Sequence, residues 1–192
     1  MSRPRGGTQA SPLSVRDVVG AALQITARSS LDALTIRAVA AELGVTSPAV
    51  HYYLRGREDL LDRVVEAVAT QIDVELDAGT DWRDQYVTLV LRMDRTFRRY
   101  PGVGARALSA TGGTSSAAQR LTETAVGILR RAGFAPQDAV EVFAATFLLF
   151  TGWLVARGMA ESDTTHPALR AAGDDAAELT DALLERSLRR LL

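Results

Sequence analysis

The stretch TIRAVAAELGVTSPAVHYYLRGREDLL, Thr35 to Leu61, constrains the fold more than any other part of the chain. Its apolar spacing describes two helices too short to stand alone, parted by one glycine, then the start of a longer helix. Two short helices that cross at a turn need a small residue where they touch, which Ala40 supplies. They need a residue tolerant of positive φ at the turn, which Gly44 supplies, and an aliphatic residue locking the second helix inward, which Val50 supplies. Val39, Leu43, Val45 and Leu54 complete the inner face, leaving Ser47, Ala49, His51, Tyr52 and Tyr53 towards the outside.

That arrangement is a helix-turn-helix, and it explains why the helices are short. A recognition helix needs only about two turns to enter a major groove, because only its first turns reach base edges. Thr35, Ser47, Tyr52, Tyr53 and Arg57 are placed to donate to phosphates, and helix N-termini there point backbone N–H groups outward. The competing reading is an ordinary three-helix core. Charge favours the first. Residues 1–57 hold seven arginines against three acids, while the whole chain of 192 residues has net charge −1. A basic head on an acidic body suits a polyanion partner at one end.

Helical spacing dominates the remainder, with no sustained strand alternation. It predicts nine helices, at 14–29, 36–43, 48–53, 57–76, 82–100, 103–110, 117–132, 136–157 and 174–191, with a possible short turn at 167–172. Ser14 (with Asp17 as its acidic partner), Thr35 and Ser47 read as N-caps, Pro48 and Pro136 as first-turn prolines, and Gly133 as a stop. The expected fold is all-α: a three-helix DNA-binding head and a larger helical bundle. The boundaries read as a disordered arm at 1–12, the head at 13–56, a connecting helix at 57–78 and the bundle at 79–192.

Residues 13–62 resemble the DNA-binding domain of the TetR (tetracycline repressor) family, through LTIRAVAAELGVTSPAVHYYLRGREDLL. Leu34-Thr35, Leu43-Gly44-Val45 and Pro48 match the family pattern. His51 stands where the family usually has tyrosine, Tyr53 where it has histidine, Leu54 for phenylalanine or valine, and Arg57 for lysine. By this resemblance Thr35, Arg37, Ser47, Pro48, Ala49, His51, Tyr52, Tyr53 and Arg57 fall at DNA-contact positions, with Arg37 the candidate for a bidentate grip on guanine. DWRDQYVTL, FRRYPGV, ILRRAGFAPQDAV and LLFTGW are similar, more loosely, to the regulatory domain of the tetracycline-repressor subgroup. That implies a helical ligand pocket and homodimerisation through the late helices. The chain's histidines, His51 and His166, lie outside the middle helices, which speaks against a magnesium-tetracycline ligand.

Within the bundle, Phe97, Phe143, Phe147, Phe150 and Trp153 read as a pocket wall, with Met93, Leu129 and Thr146 beside them; plain core packing is the equal alternative. Glu141, Ala145, Leu148, Gly152 and Ala156 form a stripe of mostly small residues which, with Leu179 and Leu183, reads as a dimer interface; packing within the chain is the alternative. The apolar run Val142–Ala156 is shorter than the roughly 20 residues a bilayer needs, so a buried helix is expected there and no membrane partner. Nothing resembling a secretory leader opens the chain. With no cysteine, no paired metal ligands and no glycine-rich phosphate loop, neither a metal nor a cofactor nor catalysis is expected. The reading is a cytoplasmic, homodimeric transcriptional regulator, a repressor released from double-stranded operator DNA by a small, mostly apolar effector. An activator of the same architecture, and more remotely a carrier or helical enzyme, stay open.

Overall fold

The structure, a computed structural model, describes residues 13–109, 116–161, 165–173 and 178–192. The arm expected at 1–12 lies outside the described residues. Ten helices and no strand occur among them: α1 (Val15–Arg28), α2 (Ile36–Leu43), α3 (Ser47–His51), α4 (Arg57–Ala69), α5 (Trp82–Arg98), α6 (Val103–Ser109), α7 (Ser116–Arg131), α8 (Pro136–Glu161), α9 (Pro167–Ala171) and α10 (Asp181–Leu191).

The head forms from local signals. Asp17 N–H donates to Ser14 Oγ at 3.2 Å, and Ser14 N–H donates back to Asp17 Oδ2 at 2.9 Å, closing a capping box on α1. Thr35 Oγ1 accepts from Ala38 N–H at 3.0 Å to start α2. Gly44 ends it at φ 66°, and the Gly44 and Val45 N–H groups close back on the Ala41 and Ala40 carbonyls at 3.2 and 3.0 Å. The expected cap on α3 is corrected. Thr46, not Ser47, precedes the helix, and it accepts the Ala49 and Val50 N–H groups through its backbone carbonyl with no side-chain cap. The helix is also shorter than expected, since Tyr52 and Tyr53 belong to the turn that follows. Val18, Ala22, Leu34, Val39, Val50 and Leu60 are fully or almost fully buried where α1, α2, α3 and α4 meet.

The connecting helix departs most from expectation: α4 ends at Ala69, not Leu76. The Thr70 hydroxyl bonds the Glu66 carbonyl at 2.8 Å. Arg120 of α7 donates to the Ala69 and Ile72 carbonyls at 3.2 and 3.4 Å, and Arg92 of α5 donates to those of Asp73 and Glu75 at 3.1 and 2.6 Å. Carbonyls that a longer helix would spend on its own N–H groups are held instead by two arginines of the body. The segment then turns at Asp77, whose carboxylate accepts Gly79 N–H at 2.8 Å, before Asp81 caps α5.

In the body α5 packs on α6, α7 and α10, and α8 packs on α6, α7 and α10. The last helix begins at Asp181 rather than Asp174, after Leu179 at φ 48°; residues 174–177 lie outside the described set. The 26-residue α8 corrects two expectations. Its Pro136–Met159 segment is long and apolar enough to cross a bilayer by length and composition. It is also not simply buried: Thr146, Phe150, Trp153, Leu154 and Arg157 face inward, whereas Val140, Leu148 and Val155 are 51%, 69% and 52% exposed.

Candidate nucleic-acid interface

The α3 segment stands proud of the head because one residue anchors it. Val50 is fully buried, while Pro48, His51 and Tyr52 are exposed, Tyr52 to 85%. Ser47, Ala49 and Tyr53 are half-buried at its flanks, and Tyr53 meets the Tyr52 ring edge-on at 5.2 Å. Thr35 and Arg37, at the start of α2, are exposed, and Arg37 makes no ion pair or hydrogen bond among the described residues. Arg28, by contrast, is spent on Glu42 at 2.6 Å, an exposed pair that draws the Glu42 carboxyl below its usual range. The surface thus offers hydroxyls, an imidazole and one uncommitted guanidinium on a two-helix ridge, the chemistry that phosphates and base edges accept.

Arg57 differs from the other expected contacts. Its Nε donates to the Leu34 carbonyl at 3.2 Å and its Nη2 to that of Asp32 at 3.4 Å, so it ties α4 to the α1–α2 loop. Contact with DNA would have to share that guanidinium.

Comparison with known proteins agrees with this geometry. Residues 18–64 match the family described as bacterial regulatory proteins, tetR family. The matched segment holds α2, α3 and the turn between them, and similarity extends over the body as well. The tetracycline repressor protein class A from transposon 1721 (Escherichia coli) is 29% identical over 193 residues, covering 92% of this chain and 87% of that protein. Residues 18–64 therefore belong to the tetR family of regulatory proteins. An HTH-type transcriptional regulator of Saccharopolyspora erythraea is 25% identical, covering 74% of this chain. The transcriptional repressor DrrR1 of Streptomyces coeruleorubidus is 32% identical over 52% of this chain. The chain spans 61% and 37% of the lengths of those two relatives. Among solved structures, a possible TetR family regulator from Streptomyces coelicolor superposes with TM-score 0.77 at 24% identity, covering 92% of this chain and 95% of that one. A TetR variant from Acinetobacter baumannii in complex with minocycline gives 0.72 at 25%, covering 93% and 94%.

Behind this head the body is wired around a buried carboxylate. Asp94 of α5 is fully buried and accepts from Trp153 Nε1 at 2.9 Å and from Arg98 Nη2 at 2.9 Å, and pairs with Arg157 of α8. Arg98 reaches on to Asp181 at the start of α10, whose carboxyl is pushed up by burial but drawn down further by Arg98 and Arg95. One cluster therefore ties α5, α8 and α10. Nearby on the same helices the Tyr86 hydroxyl lies 2.5 Å from Thr146 Oγ1. Thr146 also bonds the Val142 and Phe143 carbonyls at 3.0 and 2.9 Å, so its proton goes to its own helix and Tyr86 is the donor. Burial pushes the Tyr86 phenol up, against the smaller pull of that hydrogen bond.

The expected pocket residues are partly assembled. Phe97, Leu129, Thr146, Phe150 and Trp153 are buried in one core, with the Phe97 and Phe150 rings stacked at 6.5 Å. Met93 and Phe143 are half-buried against it. Phe147 is corrected: at 37% exposed it lies on the outer side of α8. Sequence reasoning missed Asp94, Arg98 and Arg157. A signal existed, because Val87, Val90, Asp94 and Phe97 share one helical face, which puts a carboxylate at a core position.

The expected dimer stripe divides. Glu141, Ala145, Leu148 and Gly152 are exposed and Ala156 half-buried, so the α8 part is open. Leu183 is half-buried against the core and Leu179 is 7% exposed, so Leu179 is spent within the chain and has almost no surface for a second copy. No group of three or more His, Asp or Glu that could hold a metal ion occurs among the described residues.

Proposed function

We propose that this protein is a cytoplasmic, sequence-specific transcriptional repressor that binds operator DNA as a homodimer and is released by a small, mostly apolar molecule held in the body. The observation that carries the reading is α3: Val50 locks it inward while Pro48, His51 and Tyr52 project, next to an uncommitted Arg37. Thr35, Ser47, Ala49 and Tyr53 complete the DNA surface, and Arg57 positions it from behind.

A helix this short reads few bases. Two heads spaced by about one turn of duplex, or somewhat more, supply useful specificity. The open face of α8, with Val140, Ala145, Leu148, Gly152 and Val155, is where a second copy meets the first. The same face explains the length and apolarity of α8 without a bilayer, since its inner side carries the Arg157–Asp94 pair. Regulators related in fold hold minocycline and actinorhodin, which supports a small-molecule effector among Met93, Phe97, Leu129, Phe143, Thr146, Phe150 and Trp153. An effector that prefers the DNA-incompetent state by about 1–3 kcal/mol releases the operator. No catalytic role is assigned to any side chain. An activator would use the same surfaces.

The test is selection of duplexes from a random-sequence pool by the purified protein at fixed salt, followed by gel shifts with shuffled versions. Enrichment of a sequence with two related half-sites is the expected result. Equal binding to every shuffled duplex would defeat the reading.

A further inference from the structure

A groove of about 1150 Å³ runs between α1 and α4, with the end of α2 and the start of α7 at its margins. None of the described residues that line it belongs to α3 or to the exposed DNA surface. Val15, Val19 and Leu23 give its α1 wall an apolar face. Four carboxylates also line it, Asp17, Glu42, Asp62 and Glu66, against the guanidiniums of Arg16 and Arg63. Arg63 is spent on Asp59 at 2.9 Å. Asp62 serves Arg106 but stays 66% exposed, with acceptor positions to spare. Gly20 lies mid-helix on the α1 wall, and a Cβ there would meet no described atom within 4 Å. Glycine weakens a helix interior, and no packing among the described residues requires it at this position. Its effect is to leave room for a chain to lie close against α1.

The sequence supplies such a chain. The twelve residues before Leu13 hold Arg3 and Arg5 and no acid. They join α1 at its cap, Ser14, beside the groove residues Val15, Arg16 and Asp17. The wall from Val15 to Gln24 is about 14 Å long, a span that about five extended residues cover. Glu42 marks the far end, since it pairs with Arg28, the last residue of α1. The α4 wall runs antiparallel to α1, because Arg57 at its start holds carbonyls just beyond the end of α1. Asp62 therefore lies nearer that far end than Glu66 does.

We propose that the groove between α1 and α4 is a docking site for the chain's own N-terminal arm. Residues 8–12 pass along Val15, Val19, Gly20 and Leu23, and Arg3 and Arg5 pair with Asp62 and Glu42. Docked in this way, two guanidiniums that would otherwise bind the phosphates of any duplex are kept off DNA, which sharpens discrimination between operator and other sequence. The docking stands apart from the DNA-binding reading above; its effect on discrimination rests on that reading.

Two readouts test it. The first needs no DNA. The chain has no cysteine, so Ser2→Cys takes a single nitroxide label in the full chain. The label should weaken the amide signals of Leu23, Gln24 and Leu43 at least fourfold and leave those of Leu148 and Leu188 unchanged. Gly20→Leu, which fills the groove, should restore the weakened signals with helix content unchanged, and so should Arg3→Glu with Arg5→Glu. The second readout is affinity for a duplex of arbitrary sequence. Gly20→Leu should bind it at least threefold more tightly at low salt, with a slope against log salt steeper by about 0.9 for each guanidinium released. Weakening spread evenly over head and body, or a groove pattern that survives Gly20→Leu, would overturn the docking. Weakening seen only when label and observed amides are on different copies would put a second copy's arm in the groove and overturn the intramolecular assignment. A localised pattern with unchanged affinity for arbitrary duplex would overturn the effect on discrimination. A wild type that selects no sequence defeats the DNA reading and that effect with it, while the label still decides the docking.

Discussion

The head and the body are held together by opposite means. The head relies on local devices: a capping box at Ser14, a hydroxyl cap at Thr35 and a left-handed glycine at 44, with mostly aliphatic side chains between them. The body is organised around charge taken out of water, with Asp94 fully buried between Trp153, Arg98 and Arg157. The contrast suits two tasks. A reading head must present one rigid backbone geometry to a regular duplex. A sensing body gains from a few expensive polar contacts, whose rearrangement is energetically conspicuous.

The largest expected effect separates the two kinds of exposed surface. If the open face of α8 joins two copies, Leu148→Arg with Val155→Arg leaves each head intact but single. Affinity for the selected operator then falls about 10²–10⁴-fold, the loss expected when two linked contacts become one. Sedimentation velocity should show a monomer. A variant that stays dimeric, or a monomer that binds as well as the wild type, breaks the division of labour between α3 and α8.

Next comes the buried cluster. Asp94→Ala removes the buried carboxylate that Trp153, Arg98 and Arg157 share and should cost about 3–5 kcal/mol of stability, read by denaturant unfolding. Asp94→Asn, which can still accept from Trp153, should cost less. A loss below about 1 kcal/mol for Asp94→Ala would show that the cluster is not what orders the body.

The smaller effect concerns the head alone. Arg37→Ala should weaken operator binding by about 1–3 kcal/mol and relax preference at one base pair, with melting temperature unchanged. A uniform loss over all sequences would move Arg37 from the bases to the phosphates.

The same contrast explains what was legible in the sequence. Gly44, Ser14 and Thr35 could be read because each meets a demand of its own few residues: a positive φ, or an orphan N–H. The end of α4 could not, because Arg120 and Arg92, which hold the Ala69 to Glu75 carbonyls, come from later helices. Phe147 was misplaced because α8 is apolar nearly all round, so spacing alone does not say which side faces in. Leu179 was misplaced because a helix was expected where a positive-φ turn folds the residue under its own core. Asp94 was overlooked although its spacing from Val87, Val90 and Phe97 places it on the core face.

The central claim, that the exposed side of α3 reads DNA sequence, is tested most directly by footprinting the wild-type protein on a duplex selected from a random pool. Two protected half-sites about one helical turn apart, or a little more, are expected, with the pattern at each half-site altered by Tyr52→Ala and Arg37→Ala. Uniform protection along the duplex, or a footprint indifferent to both substitutions, would contradict it.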